Sequence, residues 1–534
     1  MVSPMYTLYV GTFIQLPRTS SPDDRHELAI TRGALWVSAA DGKIKGFDWS
    51  VASESDLQTL LKRHGWVLAG AGSRSCVRVE LVRAREEQNE FFFPGFIDTH
   101  IHAPQYPNTG LFGSATLLDW LQTYTFPMEA SFASPAALPG LPPPTAYRAY
   151  SQVIARTLSH GTTTAAYYAT IHVPATNLLA SLAHQRGQRA LIGRVCMDNL
   201  STCPSTLIDE SPEASLRDTE AVIAHIHSLA PSTKESLVKP ILTPRFAPSC
   251  TPPSLAGLAA LARQHTPPLH IQTHIAENVN EIALVRQQFP ACAHYAAVYD
   301  AAGLLTPRTI LAHAVHFSPA ERSLVAARGA KVSHCPASNS ALGSGICPVR
   351  WLRRGGVVVG LGSDVSGGYS VGLLEGVRQA CLVSRLLPFL KYPEGEEDGK
   401  GEDGVVSVEE ALYLATRGGA AVVDLPDLIG GFELGMAWDA QLIRLGRFQP
   451  AGLWGPHGVG SNVDVFGEES WVEKVHKWVW SGDDRNVRAV WVQGRLVHGS
   501  VGDGREEGRW SAWKWVWGLV GVGAAWVVVR RVNG

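Results

Sequence analysis

The chain has 534 residues, of which 45% are hydrophobic and 18% are charged, and its formal net charge is −2. This length accommodates one large core and a smaller second one, in a composition typical of a soluble globular protein. The nearly balanced charge excludes an electrostatic argument for nucleic-acid binding.

Two features of the sequence favour a cytoplasmic location. The eight cysteines are scattered without a CxxC pair, which is typical of reduced thiols in a cytosolic protein. The N-terminus, MVSPMYTLYVGTFIQLPRT, has no basic leader in front of an apolar core of signal length. We therefore do not expect secretion, and we read the first apolar residues as a strand.

Residues 1–90 contain short strand-like segments, such as TLYVGTF and CVRVELV, separated by Gly, Pro and polar clusters. Few segments in this region have helical periodicity. The pattern predicts a small all-β unit.

From residue 91 onward, short apolar strands alternate with longer segments of helical periodicity. We predict strands at 91–102, 164–170, 189–197, 238–246, 269–277, 309–315, 330–336 and 357–364. Predicted helices between them include 146–158, 218–229, 254–263 and 319–327. Eight strands alternating with helices predict an α/β fold with a (β/α)8 barrel of the TIM type.

Two histidines end the first of these strands. Side chains alternate along a strand, so His100 and His102 face the same way and can turn toward one cation. An HxH pair alone is more often two polar residues in a surface loop. Whether these histidines bind a metal therefore depends on which residues lie at the ends of the other strands.

Polar residues also follow four later strands, where TIM barrels carry their chemistry. They are Arg245 after the fourth strand, His274 and Glu277 on the fifth, His313 on the sixth and Asp364 on the eighth. Each has an ordinary structural alternative, such as a core histidine, a helix N-cap or a surface salt bridge. Five such strand ends together predict an active site.

The residues at these ends offer three imidazole nitrogens and one carboxylate, from His100, His102, His274 and Asp364. This set suits a borderline divalent ion, with zinc first and Fe²⁺ or Mn²⁺ behind it. We expect one ion, because the only lysine of the fourth strand, Lys239, lies at its other end. Such an ion lowers the pKa of bound water to about 7 and yields a hydroxide that can attack an electron-poor ring carbon.

Three residues are candidates for proton transfer in that attack. Glu277 lies close enough to the ion to carry protons to the ring and to the leaving amine, and burial would raise its pKa toward neutrality. His313 could hydrogen-bond and orient the hydroxide. Asp364 could bind the metal and also accept the proton that the water loses.

After the barrel, residues 406–423 form an amphipathic pattern that predicts a helix packed on the outside of the barrel. The strand-like segments 436–445 and 487–499 resemble the N-terminal ones and should pair with them. We therefore predict a β-sandwich domain built from residues 1–90 and 426–498 around a catalytic barrel at 91–425. Apparent insertions lie at 134–144, 393–404 and 446–462, and the acidic second one is expected to be a disordered loop.

The C-terminal tail, residues 499–534, differs in composition from the rest. Nine of the sixteen tryptophans lie after residue 470, and an apolar run over 515–529 ends in Arg530 and Arg531. Fifteen residues are fewer than the roughly 20 needed to span a bilayer, although residues 510–531 reach that length with aromatic and basic flanks. Membrane contact through 510–531 and a packed or disordered appendage both remain open.

Several segments resemble the guanine deaminase family of the amidohydrolase superfamily. They are PGFIDTHIHAPQ (94–105), LLDWLQTYTFPMEA (117–130), RVCMD (194–198), ILTPRFAPSC (241–250), IQTHIAEN (271–278), SHCPASN (333–339) and GLGSDVSGGYS (360–370). The resemblance extends over residues 6–498. HxH marks only the superfamily, whereas TFPMEA and TPRFAPSC are far more specific.

This resemblance implies zinc-dependent conversion of guanine to xanthine and ammonia, with one Zn²⁺ per chain, usually in a homodimer. By the same resemblance, the metal ligands match His100, His102, His274 and Asp364, and the catalytic residues match Glu277, His313 and Asp364. The purine contacts match Gln105, Arg245 and Phe246, and we expect Glu277 and Asp364 to contact the substrate as well. Cytidine-deaminase-like guanine deaminases need an HxE and a PCxxC, and this sequence contains neither.

Two other functions are compatible with the sequence. A related aminohydrolase could act on another aminated purine, a pterin or a triazine. A metal-free relative could serve as a scaffold or cytoskeletal binding protein, although such proteins typically lose the metal ligands.

Overall fold

The computed structural model describes residues 5–18, 26–69, 77–133, 144–230, 236–390, 404–446 and 461–501. The predicted insertions at 134–144, 393–404 and 446–462 lie almost entirely outside these ranges. The predictions for the tail after residue 501 also lie outside the described residues. None of the helices in the described ranges combines the length and the apolar character that a membrane crossing requires.

The strands are, in chain order, β1 (Tyr6–Gln15), β2 (Ala29–Ser38), β3 (Ile44–Asp48), β4 (Trp66–Leu68), β5 (Val77–Arg83), β6 (Glu90–Pro94), β7 (Phe96–His102), β8 (Thr162–Tyr168), β9 (Arg189–Gly193), β10 (Val195–Cys196), β11 (Val238–Pro244), β12 (His270–Ile275), β13 (Thr309–His313), β14 (Lys331–His334), β15 (Val358–Leu361), β16 (Ala440–Arg444), β17 (Val487–Val492) and β18 (Arg495–Gly499). They form two sheets. One consists of β7 to β15, and the other contains β1 to β6 with β16 to β18.

The α-helices are α1 (Glu54–His64), α2 (Leu117–Trp120), α3 (Phe126–Ala130), α4 (Pro144–Ser159), α5 (Val173–Arg186), α6 (Pro212–Ser228), α7 (Pro252–Arg263), α8 (Val279–Gln288), α9 (Tyr295–Ala301), α10 (Pro319–Arg328), α11 (Pro336–Ala341), α12 (Val349–Arg354), α13 (Leu373–Ser384), α14 (Val408–Tyr413), α15 (Gly419–Val422) and α16 (Trp471–Ser481). Two π-helical segments join neighbouring helices, Leu121–Thr125 between α2 and α3 and Leu414–Gly418 between α14 and α15.

The first sheet is the predicted (β/α)8 barrel. Its eight main strands are parallel and follow the order β7, β8, β9, β11, β12, β13, β14, β15, while the short β10 continues β9 and pairs with β11. Two backbone hydrogen bonds join the last strand to the first: Asp364 N donates to the carbonyl of His100 at 2.8 Å, and His102 N donates to that of Val365 at 3.0 Å. The fold class predicted from the sequence is confirmed.

The predicted barrel helices are confirmed, and three of them begin in the same way. Ser211, Thr251 and Ser318 are the N-caps of α6, α7 and α10, and each is followed by proline. Each N-cap hydroxyl accepts a hydrogen bond from a backbone N–H of the first turn, and proline supplies a preset φ where no N–H is needed. These pairs define where the outer helices begin.

The second sheet draws strands from both termini, in the order β18, β17, β16, β6, β1, β2, β3. Tyr9 on β1 and Trp491 on β17 have ring centroids 5.4 Å apart, although three strand spacings would separate them by about 14 Å in a flat sheet. The sheet therefore curls over a buried aromatic core that includes Phe92 and Trp438, as expected for a β-sandwich.

Two predictions about elements need correction. The first predicted barrel strand, 91–102, is interrupted at Gly95: its first part, β6, pairs with β16 of the curled sheet and its second part, β7, begins the barrel. The described part of the segment expected to be all β contains the helix α1, which Ser53 caps with Asp56 and whose C-cap, Gly65, has a left-handed conformation.

The helix predicted at 406–423 is present as α14, the π-helical segment Leu414–Gly418 and α15, and it packs on β15 and β7, the last and first strands of the barrel. Its end, α15, and the residues that follow contribute Ala420, Val422 and Val423 to one buried cluster. The same cluster contains side chains of five barrel strands, Ile97, Ala166, Leu191, Ile241 and Ile310. The end of this segment therefore belongs to a buried cluster that it shares with several barrel strands.

Candidate active site

The predicted metal ligands all lie toward the carboxyl ends of barrel strands. His100 and His102 are among the last three residues of β7, His274 is the second-last residue of β12, and Asp364 follows β15. The side chains of His100, His102 and Asp364 are buried, and that of His274 is partly buried. The barrel therefore brings together four residues that are up to 264 positions apart in sequence, from 100 to 364.

Their ligand atoms are close enough to share one cation. His100 Nε2 and His102 Nε2 lie 3.1 and 3.5 Å from Asp364 Oδ1, and His102 Nε2 lies 3.1 Å from His274 Nε2. The candidate atoms of His100, His102 and His274 all lie within 4.8 Å of one another, as do those of His100, His313 and Asp364. No other such group of three occurs among the described residues.

Hydrogen bonding behind the cluster shows which nitrogens face it. His274 Nδ1 lies 2.5 Å from the carbonyl oxygen of Arg245, and a carbonyl only accepts, so Nδ1 carries the proton and Nε2 presents a lone pair. His100 Nε2 is buried and makes no hydrogen bond of acceptable geometry, although Asp364 Oδ1 lies 3.1 Å away; a cation would satisfy this nitrogen. Three nitrogens and one carboxylate oxygen therefore fit a borderline divalent ion.

The protonation states also fit metal binding. Burial lowers the pKa of His102 and His274 well below the usual range, and the neighbouring His100 lowers it further. Burial opposes ionisation of Asp364, but the surrounding histidines, His100 first, outweigh it and lower the pKa of the carboxyl group. Neutral imidazoles and an ionised carboxylate are the forms that bind cations.

Asp98 supports the cluster from behind. Its Oδ1 accepts hydrogen bonds from His100 N at 3.2 Å and from Ser363 N at 2.9 Å. One carboxylate thus joins the segments that carry His100 and Asp364. The sequence had assigned Asp98 no role, and the strand period alone shows only that it points the same way as the two histidines.

Glu277 and His313 lie beside the ligands and face each other. Glu277 Oε2 is 3.4 Å from His313 Nε2, and Ser344 Oγ donates to Glu277 Oε1 at 3.1 Å. Burial raises the pKa of Glu277 to about 7, although His313 lowers it in part. Both forms of this carboxyl group are therefore populated near neutral pH.

His313 is held by a residue that the sequence did not single out. Its Nδ1 lies 2.9 Å from Asn339 Oδ1, while Nε2 points to Glu277 and lies 3.7 Å from Asp364 Oδ2. Asn339 ends the SHCPASN segment, so the motif was the signal that could have identified it. Ser344 lies in no such motif and becomes visible only in three dimensions.

His102, His274, Glu277, His313 and Asp364 line one pocket, whose volume of about 410 Å³ includes space open to solvent. Gln105, Arg245 and Glu281 add further polar groups to its lining, and five other side chains form an apolar wall. That apolar wall consists of Leu117, Trp120, Leu121, Phe246 and Leu342. A concave site with an apolar wall and a few converging polar groups is typical of a small-molecule site.

All five predicted substrate contacts, Gln105, Arg245, Phe246, Glu277 and Asp364, line this pocket. Arg245 is only 2% exposed and pairs with the buried Glu129 at 2.6 Å, so the alternative of a surface salt bridge is wrong. The sequence did not identify Glu129 as part of the site, although the TFPMEA segment contains it.

A (β/α)8 barrel with histidines and an aspartate gathered at the carboxyl ends of its strands has the architecture of a barrel hydrolase. Residues 91–497 match the amidohydrolase family, and the chain belongs to this family.

Within the family, the chain is similar to guanine deaminases. It is 46% identical over 411 residues to a probable guanine deaminase of Schizosaccharomyces pombe, covering 77% of this chain and 72% of that protein. It is 39% identical over 414 residues to guanine deaminase of Rattus norvegicus, covering 77% and 83%. The crystal structure of guanine deaminase from C. acetobutylicum with bound guanine superposes with a TM-score of 0.72 at 30% identity, covering 92% of this chain and all of that one.

Proposed function

We propose that this protein catalyses the zinc-dependent hydrolytic deamination of guanine. Water replaces the exocyclic amine of the purine, so guanine and water give xanthine and ammonia. The observation that carries the proposal is that Gln105, Arg245 and Phe246 line the same pocket as His102, His274 and Asp364 of the cluster. Similarity to guanine deaminases over most of the length of each partner supports the same substrate.

In this proposal His100, His102, His274 and Asp364 would hold one Zn²⁺ per chain, with Fe²⁺ or Mn²⁺ as weaker candidates. When bound, the ion would lower the pKa of a water molecule and so supply a nucleophile at neutral pH. The residues behind the cluster, Arg245 through its carbonyl and Asp98 through its carboxylate, orient the ligands.

Three residues would bind the purine. The guanidinium of Arg245 has N–H donors that suit the carbonyl oxygen of guanine, and Gln105 can accept and donate through its amide. Phe246 lines the pocket and can cover one face of the ring. Together they orient the amine-bearing carbon toward the cluster.

Glu277 would carry protons between the attacking water, the ring and the leaving amine. It lines the pocket and lies beside His313, so its carboxyl group is close to both the cluster and the bound substrate. His313 would hydrogen-bond the attacking water, and Asp364 would accept the proton that the water loses. A positioned acid or base of this kind contributes about 10²- to 10⁴-fold in rate.

Steady-state assays on guanine, adenine, cytosine, an aminopterin and an aminotriazine test this substrate. We expect guanine to have the highest kcat/KM. A higher kcat/KM for any of the other compounds would make that compound the proposed substrate, and the proposed reaction, hydrolytic deamination, would stay the same.

Metal analysis of the purified protein tests the other half of the proposal. We expect about one zinc per chain, and activity that is lost on chelation and restored by zinc. Protein that contains no transition metal and gains no activity with added zinc would instead favour the scaffold function.

Three further predictions from the sequence belong to this proposal. We propose a homodimer, a cytoplasmic location and a catalytic domain delimited by residues 91 and 425. Light scattering of the purified protein tests the homodimer, fractionation of cells tests the location, and limited proteolysis tests the domain boundaries.

A further inference from the structure

Glu129 is a fully buried carboxylate that lies behind two residues of the pocket lining, Gln105 and Arg245, and the proposed chemistry has no use for it. It is 0% exposed, and its two neighbours Arg245 and Gln105 are 2% and 1% exposed. Arg245 donates to it twice, from Nη1 to Oε2 at 2.6 Å and from Nη2 to Oε1 at 3.1 Å. Gln105 Nε2 donates to Oε1 at 2.9 Å. One carboxylate therefore holds two of the three side chains that would bind the purine.

The contacts of Arg245 fix the plane of its guanidinium group. A bidentate arginine–carboxylate pair is planar and strongly directional, and the ring of Phe126 lies 5.2 Å from the guanidinium carbon. Both partners, Phe126 and Glu129, belong to α3. Because Glu129 uses two of the five N–H donors of Arg245, the remaining donors point in directions that Glu129 determines.

The contacts of Gln105 fix which way its amide faces. A carboxylate can only accept a hydrogen bond from the glutamine side chain, so the NH₂ group must face Glu129. The amide oxygen then faces Ser366, whose backbone N–H donates to it at 3.3 Å. With a neutral partner in place of Glu129, only the long hydrogen bond from Ser366 N–H would still favour this orientation of the amide.

An unusual backbone places Glu129 at the pocket. The π-helical segment Leu121–Thr125 lies directly before α3, and Pro127 at the start of α3 has no N–H to continue a regular α-helix. Leu121 of this segment and Leu117 of α2 line the pocket. The same short helical region thus supplies an apolar wall of the site and the carboxylate behind two polar residues of the pocket lining.

We propose that Glu129 is a positioning residue that sets the purine specificity of the site. It holds the Arg245 donors and the Gln105 amide in the arrangement that matches a purine with a carbonyl oxygen on the six-membered ring. This inference rests on the proposed guanine deaminase function. Removing the negative charge would weaken binding of purines that carry the carbonyl oxygen more than binding of purines that lack it.

The test compares guanine with 2-aminopurine, which lacks the carbonyl oxygen, in wild-type protein and in E129Q. Apparent affinity is taken from KM for guanine, and from KM or the inhibition constant for 2-aminopurine. We expect E129Q to weaken the apparent affinity for guanine by about tenfold or more and that for 2-aminopurine by less than about threefold. Zinc content should be unchanged.

E410Q is the matched control. Glu410 is also a buried carboxylate held by arginines, accepting from Arg350 Nε at 2.8 Å and from Arg353 Nη1 at 2.7 Å. Neither of these arginines lines the pocket, whereas Arg245 and Gln105, the partners of Glu129, both do. Its substitution removes the same kind of buried charge pair. Any loss of thermal stability should therefore be similar in the two variants, while only E129Q should change the ratio of the two affinities.

Each outcome decides the proposal. An equal loss for both compounds in E129Q, including complete inactivity, or no loss for either overturns it. If E129Q does not fold, E129D is judged by the same ratio, because it keeps the charge and withdraws the carboxylate by one methylene. Wild-type protein that does not turn over guanine would refute the proposed function itself, a result that is distinct from an unchanged ratio in the variant.

Discussion

Glu277 is the residue whose proposed role depends most directly on its surroundings. Burial favours its protonated form, whereas His313 and the hydroxyl group of Ser344 favour the carboxylate, and the balance raises its pKa to about 7. A group with this pKa can give and take a proton at neutral pH. The HIAEN pattern indicated a carboxyl group near the metal, but the opposing contacts come from strands and loops that are distant in sequence.

We expect E277Q to lower kcat for guanine by about 10²- to 10⁴-fold, because an amide of the same shape cannot carry the proton. Zinc content should stay the same, since Glu277 is not one of the four proposed ligands. Stopped-time assays of xanthine formation together with metal analysis check both parts, and E410Q serves as the control for loss of a buried carboxylate. Full activity of E277Q would refute the role given to Glu277.

Among the elements, α16 connects the curled sheet with the barrel. Its Trp478 is completely buried and contacts Phe93 of β6 at a centroid distance of 5.2 Å and Phe96 of β7 at 5.9 Å in a stacked arrangement. Strands β6 and β7 are consecutive in the chain but belong to different sheets. One indole ring therefore packs on both sides of the point where the chain passes from one sheet to the other.

We expect W478A to destabilise the protein by about 3 to 5 kcal/mol, because it removes a fully buried aromatic ring and leaves a cavity. Trp480, two residues further along the same helix, is 39% exposed, and W480A should cost less than about 1 kcal/mol. Thermal unfolding of both variants against wild type measures the difference. Similar melting temperatures for the two variants would show that α16 does not join the sheets in this way.

At the scale of the whole molecule, the two ends of the barrel carry different chemistry. The carboxyl end holds the proposed active site, whereas His270, at the start of β12, lies near the other end among Arg308, Lys331 and Asp424. Burial, followed by the charge of Arg308, lowers the pKa of His270 to about 3 from an ordinary value of 6.5. The folded protein thus keeps this histidine neutral in mild acid, where the unfolded chain would protonate it.

This difference makes the stability of the fold depend on pH. Because the pKa is lowered in the folded state, the contribution of His270 is fully present above pH 6.5 and is lost as the pH falls toward 3. By pH 5 the loss is about 2 kcal/mol. We expect H270Q to lose less stability than wild type between pH 7.5 and pH 5, measured as melting temperature. Parallel pH curves for the two proteins would contradict this prediction.

The curled sheet also bears on the role of the C-terminal tail. Its last strand, β18, ends at Gly499 and pairs with β17. We expect a chain that ends after residue 501 to keep the melting temperature and the kcat/KM of the full-length protein. An insoluble truncated protein would show that residues 502–534 are needed for the core. Fractionation of the full-length protein with and without liposomes then tests membrane contact through 510–531.

Much of this architecture follows from local patterns. Alternation of short apolar strands with amphipathic segments predicted the barrel, and polar residues at strand ends identified His100, His102, His274 and Asp364 before their distances were known. Local patterns failed where the structure of a segment depends on a strand that is distant in sequence. The residues 91–102 read as one strand, yet β6 pairs with β16, which lies more than 340 positions later.

The sequence by itself determined which groups can do chemistry and at which strand ends they lie. Both follow from local patterns, because the alternation of side chains along a strand and the position of each strand in the chain depend on neighbouring residues. Only the tertiary structure decided which buried polar side chains are hydrogen-bonded to each other. Glu129 lies 116 positions from Arg245, and Ser344 lies 67 positions from Glu277. These contacts arise only when the barrel closes and buries polar groups, since each buried group must then find its hydrogen-bond partner among residues that the chain order does not place nearby.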